Sequence, residues 1–383
     1  MTTLLWTAAG VALLLLVAYD VYATVLHASA HYGPVGERLN RLAWRVARFF
    51  ASRGGRRRRH AWLNVVGPLL LPLLVATYII LLVVGFALIY YPHIAEGFTH
   101  DHPHTGDLFD EALYFSGVTL TTVGYGDVAP VHSWMRALAV VEAASGFALI
   151  SLSITYLLSV YSALERKRAF ALSLYHQAGE GADASGLIAH HFVDGRFYGL
   201  REALRQATRD IQAMLESHIE HPVIHYFHPL ETYKSLPRIL FLLLEACAVL
   251  RAAFDSDECS DLRNYPEVRT LEASSLHVLG ELVESLDLER RERRKLSREE
   301  VEEDESRWRR RYEQHLRRLS AAGIKTRGQA VEGWTEYRDR RRLWESKLNR
   351  FSIYLGYEWE EVAGDDDLDY AHDEEREEPR RRK

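Results

Sequence analysis

Residues 119–127 read Thr119-Leu120-Thr121-Thr122-Val123-Gly124-Tyr125-Gly126-Asp127. The chemistry this spelling serves is ion coordination by backbone. A partly dehydrated potassium ion is held by oxygens that replace its water shell. Consecutive main-chain carbonyls provide them only where successive residues turn those carbonyls the same way. Glycine, alternating here with larger residues, permits the dihedrals this requires. Thr122 adds a side-chain oxygen at the inner end. Val123 and Tyr125 are expected to pack outward and brace the loop, with Thr121 and Asp127 flanking it. The competing reading is a polar turn between two helices.

Such a loop must be held by elements that tolerate non-helical backbone deep in a membrane, where it survives only if buried in protein or lining a watery path. A spanning helix needs about 20 apolar residues. Leu4 to Leu26 qualifies, with Asp20 as its one charge; Val65 to Tyr91 qualifies with none; Trp134 to Leu164 qualifies with Arg136 and Glu142 inside. Pro68 and Pro72 are placed early in the second span, where a helix tolerates proline best. Trp62, Tyr90, Tyr91 and Trp134 fall where interfacial aromatics belong. The first span has an alternative as a signal peptide, since Ala28-Ser29-Ala30 resembles a cleavage site; the missing basic n-region and the long apolar run argue against it. Asp110 to Thr121 reads as a short helix entering the membrane, its negative dipole end turned to the cation path.

The net charge of −6 hides a division. Apolar residues crowd the first 162 positions and charges follow. Between the first two spans lie Arg38, Arg41, Arg45, Arg48, Arg53 and the run Arg56 to Arg59, against Glu37 alone. Basic loops stay cytoplasmic, so the N-terminus is expected outside and the C-terminal domain inside, with the filter's Asp127 end outward. The membrane is then the plasma (inner) membrane. Arg38 to Arg48 has helical spacing but is too short to cross as a voltage sensor. It reads as an amphipathic helix on the cytoplasmic leaflet touching anionic lipid over residues 38–59, or as an ordinary topogenic loop. The basic clusters are interleaved with acids or sit beside spans, so nucleic acid is not a favoured partner.

The pore segment resembles the pore module of prokaryotic potassium channels over about residues 65–162: outer helix, pore helix, filter, inner helix. That resemblance implies a homotetramer, because a ring of carbonyls needs four loops and one chain carries one. It implies that Thr122, Val123, Gly124, Tyr125 and Gly126 bind the transported K+ ion, that Gly146 is an inner-helix hinge, and that Phe147 and Ile154 face the cavity or gate. Some relatives pair a pore-helix glutamate with the filter aspartate; Val118 stands at that position here. The first span, with Asp20-Val21-Tyr22-Ala23-Thr24-Val25-Leu26, is similar to a bacterial subgroup described only as ion-channel proteins.

The intramembrane carboxyls are costly and often functional. Glu142 lies one turn before Gly146 and is read as a gating residue, accepting a hydrogen bond from the pore helix or a neighbouring subunit, or else as a structural carboxyl. Asp20, nearer the cytoplasmic end, is read as wet or as quietly satisfied. His100, Asp101, His102 and His104 suggest metal or pH sensing, against a solvated loop; His218, His221, His225 and His228 suggest a metal, although Pro222 and Pro229 break their common face.

The expected fold class is all-α: a first span (1–28), a cytoplasmic basic loop with a candidate interfacial helix (29–61), a pore module (62–164), a linker (165–186), a helical cytoplasmic domain (187–362) and a disordered charged tail (363–383). Leu200 to Ile219 is amphipathic, and Ile239 to Phe254 is apolar enough for a buried helix. Leu236 to Leu250 is excluded as a fourth span by Glu245, Arg238 and Arg251. Glu289 to Arg318 reads as a solvated or intersubunit arm. Trp334, Tyr337, Trp344, Leu348, Phe351 and Leu355 keep heptad spacing for packing. Gly179-Glu180-Gly181 superficially suggests a dinucleotide loop, but the next glycine is Gly186 and no strand precedes it. With no phosphate-binding lysine loop, metalloprotease pair or nucleophile elbow, an enzyme is not expected. Passive potassium conduction, tuned by the helical domain, is the expected function; a non-conducting membrane signalling or scaffold protein is the alternative. The ligand of the helical domain is not legible.

Overall fold

The computed structural model describes residues 2–26, 33–100, 107–179, 183–254, 260–288, 298–327 and 331–364. These divide into two compact units. The first comprises Met1–Gly54, Trp62–Ser162 and His218–Phe227; the second comprises Gly55–Ala61, Ala163–Ser217 and His228–Lys383. The readings at Ala28–Ala30, Asp101, His102, His104 and the tail from Asp365 lie outside the described residues.

The first unit begins with α1 (Thr2–Val21), which continues through a π turn at Tyr22–Leu26. It goes on through α2 (Pro34–Ala51), most of α3 (Arg56–Tyr90), the short α4 (Ile94–Gly97), β1 (Phe98–His100), α5 (Leu108–Leu120), β2 (Val128–Pro130) and most of α6 (Ser133–Gln177). Among the described residues, three helices are long and apolar enough to cross a membrane: Thr2–Leu26, Arg56–Gly97 and Ser133–Gln177. α1 packs closely on α3: a Cβ on Gly10 would come within 2.5 Å of the Gly85 carbonyl oxygen.

Asp20 is buried, not wet. Its carboxylate accepts from Val35 N at 2.7 Å, Gly36 N at 3.0 Å and the Tyr78 hydroxyl at 2.6 Å. The N-cap of α2 is Gly33, which has no side chain to cap with. A carboxylate from the preceding span therefore takes over the orphan N–H groups of α2, where the helix dipole also favours negative charge.

Two helices outrun the apolar spans that identify them. α3 starts at Arg56, well before Val65, which puts Pro68 and Pro72 inside the helix and not in its first turns. α6 does not end with the apolar run at Leu164 but runs through Glu165–Arg168 to Gln177, across the first part of the expected linker. The reason is physical: arginine, lysine and glutamate are good helix formers, so a charge cluster ends the membrane without ending the helix.

The second unit is built on α9 (Leu236–Ala252), in which every residue except Arg251 is buried. Around it pack α7 (Ala184–Ala189), α10 (Ser260–Asn264), α11 (Pro266–Ser285), α13 (Val331–Tyr354) and α14 (Trp359–Ala363). α8 (Leu200–Glu220) and α12 (Arg298–Ala321) belong mainly to this unit, and a small hairpin pairs β3 (Phe192–Val193) with β4 (Arg196–Phe197). The described part of α12 is not a solvated arm. Trp308, Tyr312, His315, Leu316 and Leu319, at spacings of three and four, are buried. The carboxylate inside α9 is also explained. Glu245 accepts from Arg341 at 2.9 Å, from His315 Nε2 at 2.9 Å and from the Tyr337 hydroxyl.

One stretch of the expected cytoplasmic domain belongs elsewhere. His218–Phe227 groups with the first unit, where a 3₁₀ turn at Pro222–Tyr226 lies against α2 through Tyr226, and the flanking His221 and Phe227 lie against α6 and α3. The four histidines of this region do not converge on one point. His218 and His225 face each other with ring centroids 4.9 Å apart, His221 meets Ser159, and His228 meets His60 in the second unit. Among the described residues, no group of three His, Cys, Asp or Glu is arranged to hold a metal ion.

Candidate functional site

α5 is the element that aims the Thr122–Gly126 loop. Asp107 caps its start, accepting from Phe109 N at 3.1 Å. Ala112, Phe115, Ser116 and Leu120 are buried against the rest of the unit. Phe115 meets Tyr90 and Phe98 edge-on, with centroids 5.0 and 4.9 Å apart, so aromatic packing fixes the helix orientation. Beyond the loop, β2 pairs antiparallel with β1 in the register Phe98↔Pro130, Thr99↔Ala129 and His100↔Val128. The loop is thus clamped at both ends.

Its backbone alternates. φ is positive at Thr122 (60°), Gly124 (57°) and Gly126 (84°), and not at Val123 or Tyr125. Alternating hands rotate successive peptide planes so that neighbouring main-chain groups face one side, the arrangement that makes a concave ion site from backbone alone. The two glycines pay little for this. Thr122 does not: a β-branched residue at positive φ is a true outlier, of the kind that costs about 1–3 kcal/mol and clusters at functional sites. Sequence reasoning credited glycine and missed this threonine, since no propensity rule places it there. Behind the loop, Thr122 N donates to Thr119 O at 3.0 Å and Val123 N to Val118 O at 3.0 Å. A Cβ on Gly124 or Gly126 would meet nothing within 4 Å. Tyr125 is 73 % exposed in the single chain.

Two side-chain bonds bracket the loop. The Tyr114 hydroxyl donates to Asp127 Oδ2 at 2.7 Å. Asp127 therefore has a phenol partner one turn before Val118, the position checked for a glutamate. A phenol thirteen residues from the aspartate was the available signal. On the inner side, Ser116 hydrogen-bonds buried Glu142 and lies 3.0 Å from the Val83 carbonyl. α5 thus supplies the partner expected of the pore helix.

The remaining candidates sit on α6. Gly146 lies within unbroken helix, and a Cβ there would fall 2.1 Å from the Leu120 carbonyl oxygen. It is a close-approach point between α6 and the end of α5. Phe147 and Ile154 are exposed in the single chain. His100 pairs with Glu111 at 2.5 Å and reaches Ile94 O through its other ring nitrogen at 3.1 Å.

Residues 77–163 match the family described as ion channel. The chain is also 29 % identical over 247 residues to YdjJ of Bacillus subtilis (strain 168), an uncharacterized membrane protein, covering 63 % of this chain and 69 % of that one. No solved structure matches the chain. The matched segment takes in the later part of α3, all of α5, the clamped loop and most of α6. Over residues 77–163 the chain is similar to the ion-channel family, and its candidate spans accord with a membrane protein.

Proposed function

We propose that the protein is a potassium-selective channel, conducting passively through a homotetrameric pore. The observation that carries this reading is the alternation of φ at Thr122, Gly124 and Gly126 within the spelling Thr-Val-Gly-Tyr-Gly. Four such loops around an axis give the carbonyl ring that replaces potassium's hydration shell. The transported ion is the cargo, bound by Thr122, Val123, Gly124, Tyr125 and Gly126, with Thr121 and Asp127 at the two ends. Glu142, Gly146, Phe147 and Ile154 tune gating along α6, and the second unit regulates it. The basic segment between the first two spans supports an orientation with the N-terminus outside.

In liposomes, the purified protein should pass potassium far faster than sodium, and barium should block it. Equal fluxes, or none under any condition, would overturn the reading. Tyr125→Ala should fold and conduct with little selectivity, because it removes the brace and leaves the carbonyls. For orientation, Thr3→Cys should label in intact cells and Glu332→Cys only after permeabilisation; the reverse pattern would invert the topology.

A further inference from the structure

α2 carries chemistry that the filter does not use. Its surface has three sectors. Gly36, Asn40, Trp44 and Ala51 are buried. Leu42, Val46, Phe49 and Phe50, at spacings i, i+4, i+7 and i+8, form an apolar stripe, in which Leu42 and Phe49 are each 56 % exposed and Phe50 is 58 % exposed. Arg38, Arg41 and Arg45 are exposed along one edge of that stripe. At about 100° per residue the apolar and arginine sectors adjoin each other. Arg53 continues the pattern, its guanidinium 3.9 Å over the Phe49 ring. Glu37, paired with Arg41, is the one acid between residues 34 and 59.

Both ends of this helix are tied to spans. Asp20 of α1 holds its first turn, and Gly55 follows closely before α3 begins. An acidic soluble protein would satisfy the arginines and leave the leucine and phenylalanines unmatched. Anionic headgroups over acyl chains satisfy both rows at once.

The buried sector leads to α6. Trp44 packs on Tyr226 with ring centroids 5.4 Å apart. In the same short segment, Phe227 lies against Gly67 of α3, where a Cβ would come within 2.8 Å of it, and meets Tyr161 of α6 edge-on. His221 Nε2 is 2.7 Å from Ser159 Oγ, and its ring stands edge-on to Tyr156.

We propose that the exposed face of α2 docks on anionic lipid headgroups, and that Trp44 and the His221–Phe227 segment pass this docking to α6. The first half stands without the channel reading; the second half rests on it.

The test uses full-length protein. Native mass spectrometry should find phosphatidylglycerol retained over phosphatidylcholine. Each arginine near an anionic surface changes affinity by roughly fivefold. The triple variant Arg38→Gln/Arg41→Gln/Arg45→Gln should therefore lose about a hundredfold in phosphatidylglycerol affinity at low salt, and the triple Lys variant should keep most of it. In phosphatidylcholine vesicles doped with phosphatidylglycerol, wild-type potassium flux should change severalfold with the anionic fraction. His221→Gln should retain lipid while its flux stops following that fraction. Equal retention of the two lipids by wild type, or wild-type retention by the Gln triple, overturns docking. Flux of His221→Gln that still follows the anionic fraction overturns the relay. Selective retention with no conduction in any vesicle supports docking and overturns the channel reading.

Discussion

At the scale of single residues, two carboxyls in apolar helices meet different fates. Asp20 is saturated by two backbone N–H groups and a phenol, a helix cap supplied from a distance. Glu142 has Ser116 as partner through one oxygen, and the buried Tyr90 hydroxyl neighbours the same carboxyl. Ser116 has one hydroxyl proton and two neighbours, Glu142 and the Val83 carbonyl. Glu142→Gln keeps the volume and brings an amide N–H that can donate to Ser116, leaving the serine proton for Val83. That variant should fold, keep its potassium-to-sodium ratio and change open probability or its pH dependence. Single-channel records with unchanged gating across pH would make the carboxyl structural only, and a collapsed permeability ratio would move it into the selectivity apparatus. Tyr114→Phe isolates the outer end. It removes the bond to Asp127 and nothing else. Flux should decay faster at low external potassium, where fewer bound ions hold the loop open. Decay identical to wild type would show that β1–β2 pairing alone is sufficient to hold that end.

At the scale of elements, Gly146 separates two roles that sequence cannot. A hinge glycine works by bending, and a contact glycine works by admitting a neighbour. The 2.1 Å approach to the Leu120 carbonyl points to the second. Gly146→Ala should therefore push α6 from α5 and destabilise the fold by about 1–3 kcal/mol, as overpacked sites do. A purely hinging role predicts altered gating with an unchanged melting temperature. The same distinction explains what was legible beforehand. The spans, α5 and the loop could be read because apolar length and the filter spelling are local signals. The ends of α3 and α6 could not, since hydropathy reports the membrane boundary while helix propensity passes through Arg56–Arg59 and Glu165–Arg168. Nor could the cap of α2 be read, because the accepting carboxylate, Asp20, is thirteen residues before Gly33, nor the placement of His218–Phe227, whose partners Trp44, Gly67 and Ser159 are all distant in sequence. The aromatic heptad of α13 was legible, whereas the charged composition of α12 concealed its buried Trp308 and Tyr312.

At the scale of the whole molecule, the second unit carries ionisable groups deep enough to make its stability a function of pH. Burial works to raise the Glu245 carboxyl, but Arg341 and His315 outweigh it and hold it at about 2. Glu361 is likewise opposed by burial and brought to about 2, chiefly by His60. Burial, then His60, pushes His228 down to about 3, so its ring stays neutral, with Nδ1 donating to Leu355 O at 3.1 Å. His315 shifts the other way. Burial would lower it, but Asp183 and Glu245 raise it. The signs follow from which state binds more protons. Above pH 6.5, the unfolded chain loses the His315 proton before the folded one does, so stability falls as pH rises through the folded value. Below 6.5, the unfolded chain protonates at His228 while the folded one resists, so stability falls on acidification. Below about 4.5, Glu245 and Glu361 steepen that loss down to about 2. Melting of the full-length protein in detergent, followed through buried Trp308, Trp344 and Trp359 of the second unit, should peak near pH 6.5. His228→Gln should flatten the limb between 6.5 and 4.5 and leave the steeper acid limb. His315→Gln should flatten the alkaline limb at a lower overall stability, because it also removes the ring's positive charge from between Asp183 and Glu245. A wild-type profile that rises steadily from pH 6.5 toward 4.5 would mean that His228 takes its proton in the folded state.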